Sequence, residues 1–176
     1  MDVVIVVIVI EIRGDSNMRV EHTFNPIYNK ESKILILGSV PSVKSREKNF
    51  YYGHPKNRFW SLIAKIYNKE IPITISEKES LILNNNLAIY DVIKSCDIEG
   101  SSDSSIKNVE INDINYIIQN SKINKVIFNG SKAYKLYKKY EKDKFENLIL
   151  LPSTSPANAK YSLEKLYDIW SKELVL

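Results

Sequence analysis

The residues best suited to chemistry lie in the run Phe50-Tyr51-Tyr52-Gly53-His54-Pro55-Lys56-Asn57-Arg58-Phe59-Trp60. A flat aromatic ring in this run can stack against a nucleobase, and the short carboxamide of Asn57 can hold a water molecule against a sugar carbon. Plain structural interpretations also exist, because Phe59 suits a hydrophobic core and Asn57 suits a helix N-cap. His54, before a proline, favours a structural role or a phosphate contact over a general base.

A second polar segment, Gly38-Ser39-Val40-Pro41-Ser42, directly follows an apolar run. Glycine allows close approach of a ligand, and backbone amides that point outward from such a turn can cradle an anion. The segment lacks the lysine of a GxxxxGK[ST] loop and the spacing of a dinucleotide-binding GxGxxG turn. An ordinary strand-to-loop turn explains it equally well.

Two more segments carry polar groups that could bind a ligand. Asn129, in a Phe-Asn-Gly sequence, has the donor and the acceptor needed to recognise an amide-like base edge, which uracil and hypoxanthine both present. A simple Asn-Gly turn is the alternative interpretation. Residues 151–159 combine hydroxyl groups with rigid prolines, which suits phosphate binding and insertion into a duplex but also suits any rigid loop.

The composition excludes several other kinds of site. The single cysteine, Cys96, excludes an internal disulfide, and it forms no zinc or iron–sulfur ligand set with His22 and His54. No Ser-His-Asp set and no paired-carboxylate arrangement is evident. We therefore expect no metal, no cofactor and a cytoplasmic protein. The 25 basic and 21 acidic residues give a formal charge of +4, which permits a nucleic-acid partner without requiring one.

Apolar periodicity predicts the elements that position these segments. Four continuously apolar runs predict strands covered on both faces, at Lys33–Leu37, Leu87–Val92, Lys125–Phe128 and Asn147–Leu151. Helical stripes are predicted from Phe59 to Tyr67, from Leu81 to Leu83 behind a Ser76/Glu79 capping box, at Ile111, Ile114, Ile117 and Ile118, at Ala133, Leu136 and Tyr137, and from Leu163 to Trp170. The alternation predicts an α/β fold: a single three-layer domain in which five helices flank a central four-stranded, mainly parallel sheet.

The polar segments all follow predicted strands. They are Gly38–Ser42, the residues from Asp91 onward, Asn129-Gly130 and Pro152–Pro156. In sheets of this class, ligands bind beyond the carboxyl ends of the strands. We therefore expect the four loops to converge at one edge of the sheet.

The first residues form a separate feature. The run Val3 to Ile10 is β-branched throughout, too short to span a bilayer, and lacks the basic start and cleavage site of a secretory signal. It is either an extra strand or an upstream extension. We favour an extension over residues 1–17, with the domain covering residues 18–176 from Met18.

In their order along the chain, these motifs resemble the uracil-DNA glycosylase superfamily. The turn at 38–42 followed by residues 54–60 is similar to the mismatch-specific uracil glycosylases, which carry GINPG and then HPxNRFW. It is more similar to the hypoxanthine-DNA glycosylases, which carry GS-x-PS, FYYGHPxNRFW, a loop like residues 100–108, an FNG-like strand end and an LPSTSPANA-like loop. The resemblance runs from about Ile34 to Trp170.

One departure distinguishes the two branches. Where GINPG has the catalytic asparagine, this chain has Val40, which cannot orient a water molecule. The resemblance to the hypoxanthine branch implies that Asn57 takes this role. Leu151 stands near a position where other branches have His or Asn, so stabilisation of the leaving group by that side chain is not expected.

The resemblance implies further roles. The glycosidic bond would break through an oxocarbenium-like sugar, and catalysis would rest on positioning the water, the base and the phosphates. Asn129 would recognise the base edge, Tyr52 would stack on the base, and the amides of Ser39 and Val40 would support its carbonyl. The expected phosphate contacts are Ser42, Ser45, His54, Ser153, Thr154 and Ser155. The residues expected to fill the gap left by the flipped nucleotide are Pro156, Ala157 and Asn158.

The predicted function is therefore a monofunctional, monomeric DNA glycosylase that acts on deoxyinosine in DNA containing deaminated bases, with no membrane association. Two alternatives remain at this point. One is a uracil- or xanthine-DNA glycosylase of the mismatch-specific type, and the other is a non-catalytic DNA-binding module with the same fold. A lyase activity is not expected, because Lys56 is the only lysine within the motifs apart from Lys107 of the loop at 100–108.

Overall fold

The computed structural model describes residues 17–99, 106–142 and 145–174. Within these ranges the chain forms seven strands and six helices. The strands are β1 Asn17–Glu21, β2 Ile34–Gly38, β3 Leu87–Asp91, β4 Ile93–Glu99, β5 Lys107–Ile111, β6 Lys125–Asn129 and β7 Leu148–Leu151. The helices are α1 Val43–Lys48, α2 Phe59–Ile66, α3 Ile75–Leu83, α4 Ile114–Gln119, α5 Ser131–Tyr140 and α6 Leu163–Leu174. Residues 1–16 of the predicted extension and residues 100–105 of the family-like loop lie outside the described ranges.

The central sheet has four parallel strands in the order β3-β2-β6-β7. All five residues of β2 are buried, which explains why its sequence is continuously apolar. The register pairs Gly38 of β2 with Asp91 of β3, so both residues stand at the carboxyl edge. The predicted strands and the parallel arrangement are confirmed.

The two faces of the sheet are covered by different helices. Ile34 and Ile36 point to a core that includes residues of α2, α3 and α6, whereas Leu35 and Leu37 point to a core that includes residues of α4 and α5. This alternation follows from the two-residue period of a strand. The predicted three-layer α/β domain is confirmed.

A second sheet was not predicted. Strands β1, β4 and β5 form an antiparallel sheet in the order β1-β4-β5, with Val20 opposite Cys96 and Ile93 opposite Ile111. The prediction that placed Ile111 in a helical stripe is wrong, because this residue ends β5. The helix α4 begins only after Asp113, whose side chain accepts a hydrogen bond from Tyr116 N at 2.9 Å.

The predicted capping box is also displaced by two residues. Thr74 Oγ1 accepts from Glu77 N at 3.2 Å, and a Glu77 carboxylate oxygen accepts from Thr74 N at 2.9 Å. Ser76 and Glu79 have the same spacing but lie inside α3. The helix therefore begins one half-turn earlier than the sequence pattern indicated.

The sequence analysis did not predict helix α1. Helix α1 has only six residues and no apolar stripe, so periodicity could not indicate it. In the described part of the chain, no helix combines the length and the apolar character needed to cross a membrane.

Candidate active site

A cavity of about 880 Å³ opens at the carboxyl edge of the central sheet. The carboxyl ends of all four parallel strands, or the loops that follow them, contribute to its lining, as expected for ligand binding in a sheet of this class. The lining includes Gly38 to Ser42 after β2, Asp91 of β3, Asn129 and Gly130 at the end of β6, and Pro152 to Ser155 after β7. Tyr52 and Asn57 enter it from the segment between α1 and α2.

The turn after β2 is held by internal hydrogen bonds. Ser42 caps α1 by accepting from Ser45 N at 3.2 Å, and the two hydroxyl oxygens lie 3.1 Å apart. Ser45 is buried, and its hydroxyl accepts from Gly53 N at 3.0 Å. These contacts give Ser45 a structural role in joining the two segments, and they leave Ser42 as the more exposed hydroxyl for a phosphate.

The backbone amides proposed to support a base carbonyl belong to residues at the same edge. Ser39 and Val40 are half-buried and line the cavity. Ser39 O accepts from Ile93 N at 2.9 Å, which ties the turn to β4. The Val40 side chain packs against the small core of the antiparallel sheet rather than presenting a polar group.

Tyr52 adopts a left-handed backbone conformation, with φ of 52°. Its ring stacks on Phe59 with a centroid distance of 4.0 Å and an interplanar angle of 27°. Its hydroxyl oxygen is buried and forms no hydrogen bond with the described residues. Burial raises the pKa of Tyr52, the charge of Asp91 raises it further, and nearby Asn129 lowers it, although the two groups do not reach hydrogen-bond geometry. The hydroxyl therefore stays protonated as a donor at the cavity floor.

Gly53 makes the tight turn after Tyr52 possible. A Cβ at this position would lie 2.9 Å from Lys44 O and 3.1 Å from Ser45 Cα, both backbone atoms that cannot move independently. Glycine is thus required for the close packing of α1 against the aromatic segment.

Asn57 is positioned by a turn and by the start of α2. The backbone N–H of Asn57 donates to His54 O at 2.9 Å, and Lys56 N donates to His54 Nδ1 at 3.1 Å. His54 therefore stabilises the turn. Asn57 Oδ1 accepts from Phe59 N at 2.9 Å and from Thr154 Oγ1 at 3.0 Å. The N-cap of α2 is Arg58, so Asn57 precedes the cap, yet its side chain accepts from the first residue of the helix. Asn57 also lines the cavity, and Nδ2 is its group best placed to hold a ligand.

Thr154 links the two candidate carboxamides. Asn129 Oδ1 accepts from Thr154 N at 2.9 Å, and Asn129 Nδ2 donates to Thr154 Oγ1 at 3.0 Å. The same hydroxyl donates to Asn57, which gives a continuous chain from Asn129 through Thr154 to Asn57. Thr154 is fully buried, so it positions the two asparagines instead of contacting a phosphate. Asn129 retains one N–H and one lone pair for a ligand.

Arg58 fixes the loop after β7. Its guanidinium donates to the backbone oxygens of Thr154 at 3.2 Å and Asn158 at 3.1 Å, and also to those of Ser155 and Tyr161. A guanidinium has five donors in one plane, which explains why a single side chain can hold so many carbonyl groups. Sequence analysis did not give Arg58 a role.

The loop carries its own internal contacts as well. Ser153 Oγ accepts from Ser155 N at 3.2 Å, and Asn158 Nδ2 donates to Ser153 O at 2.9 Å. Pro152, Ser153, Ser155, Pro156 and Asn158 are half-buried, whereas Ala157 is exposed. Ala157 is therefore the most exposed of the three residues predicted to fill a base gap.

A buried pair of side chains, one of which lines the cavity, was missed by the sequence analysis. Asp91 ends β3 and lines the cavity, and its Oδ2 lies 2.9 Å from His22 Nε2. Their side chains are 7% and 1% exposed, respectively. The position of Asp91 at the carboxyl end of a predicted strand was a usable signal, whereas His22 lies between β1 and β2, where no periodic pattern pointed to the site.

Two elements contribute positively charged residues to the cavity lining. Arg46 of α1 and Lys132 of α5 both line it. Among the described residues, no group of three or more His, Cys, Asp or Glu side chains is arranged to hold a metal ion.

Comparison with known proteins identifies a family and several relatives that this chain resembles. The family model of the uracil DNA glycosylase superfamily matches residues 26–173. The hypoxanthine DNA glycosylase of Methanosarcina acetivorans is 34% identical over 145 residues, which are 81% of this chain and 91% of that protein. The hypoxanthine DNA glycosylase of Methanosarcina barkeri is 34% identical over 153 residues, with 85% and 94% covered.

A solved structure agrees with this relationship. It is a solution NMR structure from Methanosarcina acetivorans, named provisionally as a uracil DNA glycosylase. It superposes with a TM-score of 0.72 at 31% sequence identity, and the match covers 86% of this chain and 96% of that one.

Proposed function

Because the chain belongs to the uracil-DNA glycosylase superfamily, we propose that it is a DNA glycosylase that removes hypoxanthine from deoxyinosine by hydrolysis of the N-glycosidic bond. The observation that carries the proposal is the hydrogen-bonded chain Asn129–Thr154–Asn57, which ends in the cavity. The names of the two curated relatives support hypoxanthine as the base. Removal of a deaminated base in this way is the first step of base-excision repair.

The mechanism follows from the groups that the cavity offers. The bond between the base and C1′ stretches toward an oxocarbenium-like sugar, and a water molecule attacks C1′ on the opposite side. Asn57 Oδ1 is already occupied by two donors, so Nδ2 holds the oxygen of that water. Prealigned polar groups lower the barrier because they need no reorganisation as charge develops.

The base would be held by Tyr52 and Asn129. The face of the Tyr52 ring away from Phe59 offers a platform for the flipped base, and base–aromatic stacking contributes about 1–3 kcal/mol. The free N–H and lone pair of Asn129 match the carbonyl and the neighbouring ring N–H of hypoxanthine.

The proposed partner is DNA that contains deaminated bases, bound by a monomer in the cytoplasm. Ser42, His54, Ser153 and Ser155 are the proposed phosphate contacts, with positive charge from Arg46 and Lys132. Ala157, between Pro156 and Asn158, is the proposed filler of the gap. The enzyme is proposed to be monofunctional, so borohydride should trap no covalent adduct between it and DNA.

The test is alkaline cleavage of labelled oligonucleotides that carry one hypoxanthine, one uracil or one xanthine. Wild type should give most product from hypoxanthine, and Asn57→Ala should lower that product at least a hundredfold. Uracil or xanthine as the main substrate would overturn the base assignment, and binding without any abasic product would identify a DNA-binding module. Equal product from the two proteins would overturn the role of Asn57.

A further inference from the structure

The tip of the loop after β7 presents a small side chain where a flipped nucleotide would leave a gap. Of the three residues proposed for this gap, Ala157 and Asn158 line the cavity, whereas Pro156 does not. The Asn158 side chain is directed back into the loop, where Nδ2 donates to Ser153 O at 2.9 Å. The exposed methyl group of Ala157 is therefore the one of the three that is best placed to enter the gap.

Hydrogen bonds on both sides of Ala157 hold the backbone of this tip. Ala157 N donates to Ser155 Oγ at 3.3 Å, and Asn158 N donates to Ser155 O at 3.0 Å. The Arg58 guanidinium donates to the carbonyl oxygens of Ser155 and Asn158. A loop fixed in this way does not rearrange easily to present a larger group, so one methyl group would fill the space left by the base.

Larger apolar side chains line the cavity, but they belong to regular elements and not to the loop tip. Met18 of β1, Val43 of α1 and Leu150 of β7 are all exposed and line the cavity. In a duplex the faces of the bases are covered by their stacked neighbours, whereas in unpaired DNA they are open to water. Apolar surface around the cavity therefore suits contact with unpaired bases.

Extrusion of a base costs the pairing and stacking that the duplex provides, and this cost is smallest for a mispaired or single-stranded base. An inserted side chain offsets part of the cost because it occupies the space between the unstacked bases. A single methyl group buries little apolar surface and therefore offsets little of it. Hypoxanthine opposite cytosine forms a pair of Watson–Crick geometry, whereas hypoxanthine opposite thymine forms a weaker wobble pair.

We propose that the site takes hypoxanthine mainly from unpaired or weakly paired DNA, and that Ala157 sets this preference because its methyl group offsets little of the cost of extrusion. The substrate class is deoxyinosine in single strands and in wobble pairs, and deoxyinosine opposite cytosine is a poor substrate. Ala157 is thus a specificity residue. The inference rests on the proposed function, because it requires that this cavity removes hypoxanthine.

Single-turnover rates of hypoxanthine removal test the preference on substrates of identical sequence. Deoxyinosine is placed in a single strand, opposite a stable abasic analogue, opposite thymine and opposite cytosine. With wild type, the rate on the single strand should exceed the rate opposite cytosine about tenfold or more, with the thymine pair between them. The abasic analogue removes pairing but keeps the duplex, so its rate should lie closer to that of the single strand than to that of the cytosine pair.

Two substitutions of Ala157 change the size of the group at the loop tip. The backbone of Ala157 lies outside the left-handed region, so a larger side chain introduces no backbone strain there. Ala157→Leu should lower the ratio of the single-strand rate to the cytosine-pair rate about threefold or more, because the longer side chain fills more of the gap. Ala157→Gly should raise the same ratio. Lys165→Leu, exposed on α6 and away from the cavity lining, is the matched control and should leave the ratio unchanged. Thermal unfolding of each variant verifies that it is folded.

The outcomes distinguish this inference from the proposed function. Wild type that releases no hypoxanthine from any of these substrates would contradict the proposed function itself. Wild type that releases hypoxanthine equally fast from the single strand and from the cytosine pair would overturn the preference for unpaired DNA. A folded Ala157→Leu variant that keeps the wild-type ratio would overturn the role of Ala157.

Discussion

At the scale of single residues, the site depends on how few polar atoms remain open once the internal hydrogen bonds are made. Asn57 has its carbonyl oxygen fully used, and Asn129 shares half of its carboxamide with Thr154. Each asparagine is thereby held in one orientation. The ligand then meets groups that are already aligned, which is the condition for electrostatic catalysis.

The linking role of Thr154 leads to a first prediction. Thr154→Val keeps the shape of the buried side chain but removes the hydroxyl that joins the two asparagines. The single-turnover rate of hypoxanthine removal should fall about ten- to a hundredfold, since the carboxamides lose their alignment. Thr154→Ser restores the hydroxyl and should retain most of the rate. A Val variant that is as fast as the Ser variant would rule out this role.

Residue type and position made Asn57 and Asn129 predictable as candidates, because both follow or precede regular elements with clear patterns. The function of Thr154 was not predictable, since a hydroxyl in a loop suits a phosphate and a buried link equally well. The contact of His22 with Asp91 could not be predicted from the sequence for a different reason. Its contact with Asp91 spans 69 residues and depends on the tertiary fold.

At the scale of elements, continuous apolar runs predicted the parallel sheet. The antiparallel strands and helix α1 were not predicted, because their sequence patterns are weak. Strand β4 mixes polar and apolar residues, and its pairing with β5 contains two register shifts that break the two-residue alternation. Helix α1 depends on its caps, Ser42 and the left-handed Asn49, more than on a hydrophobic face. Local sequence patterns carry little information about such elements.

The contact between α2 and the loop after β7 gives a second prediction. Arg58→Lys keeps the charge but replaces a planar set of five donors with three on one nitrogen, so several carbonyl contacts are lost. We expect weaker DNA binding and a rate at least tenfold lower, with a smaller effect on thermal stability. The exposed Lys56→Arg serves as the control. Wild-type affinity and rate in Arg58→Lys would contradict this function of the guanidinium.

The capping box of α3 gives a third prediction, which concerns stability alone. Thr74→Ala removes the side-chain acceptor of Glu77 N and should lower the free energy of unfolding by about 1 kcal/mol. Ser76→Ala, which alters the box that the sequence suggested, should be close to neutral because alanine favours a helix interior. Urea unfolding of both variants measures the difference. The reverse order of the two effects would contradict the observed start of α3.

At the scale of the whole molecule, the fold brings the ends of four parallel strands to one cavity whose lining includes Arg46 and Lys132. This arrangement was predictable once the strands were known, because parallel strands bring their carboxyl ends to the same edge. The antiparallel sheet was not predictable, yet Met18, Val20 and Ile98 from its strands complete one wall of the cavity. The family-level fold was therefore accessible from sequence, and the full enclosure of the site was not.

The basic residues that line the cavity give a fourth prediction. Binding to DNA releases counterions from each neutralised phosphate, so affinity should fall as salt rises. Between 50 and 200 mM salt, we expect the dissociation constant for a hypoxanthine-containing duplex to increase by about tenfold or more, as several phosphate contacts require. Arg46→Gln should reduce the slope of this dependence. An affinity that does not change with salt would contradict the proposed phosphate contacts.

The extension gives a fifth prediction. The family model matches residues 26–173, and the strand β1 that borders the cavity is Asn17–Glu21. We propose that residues 1–17, of which Asn17 is the first residue of β1, are dispensable, so a chain beginning at Met18 should fold and remove hypoxanthine at the rate of the full chain. A large loss of rate or stability on truncation would show that the segment belongs to the domain.

The most direct test of the central claim is identification of the released product by mass spectrometry. A duplex with one deoxyinosine is incubated with the protein, and free hypoxanthine and abasic sites are both counted. Wild type should release one free base for each abasic site, and Asn57→Ala should release almost none. Release of a nucleoside or nucleotide, no free hypoxanthine from wild type, or equal release from both proteins would contradict the account.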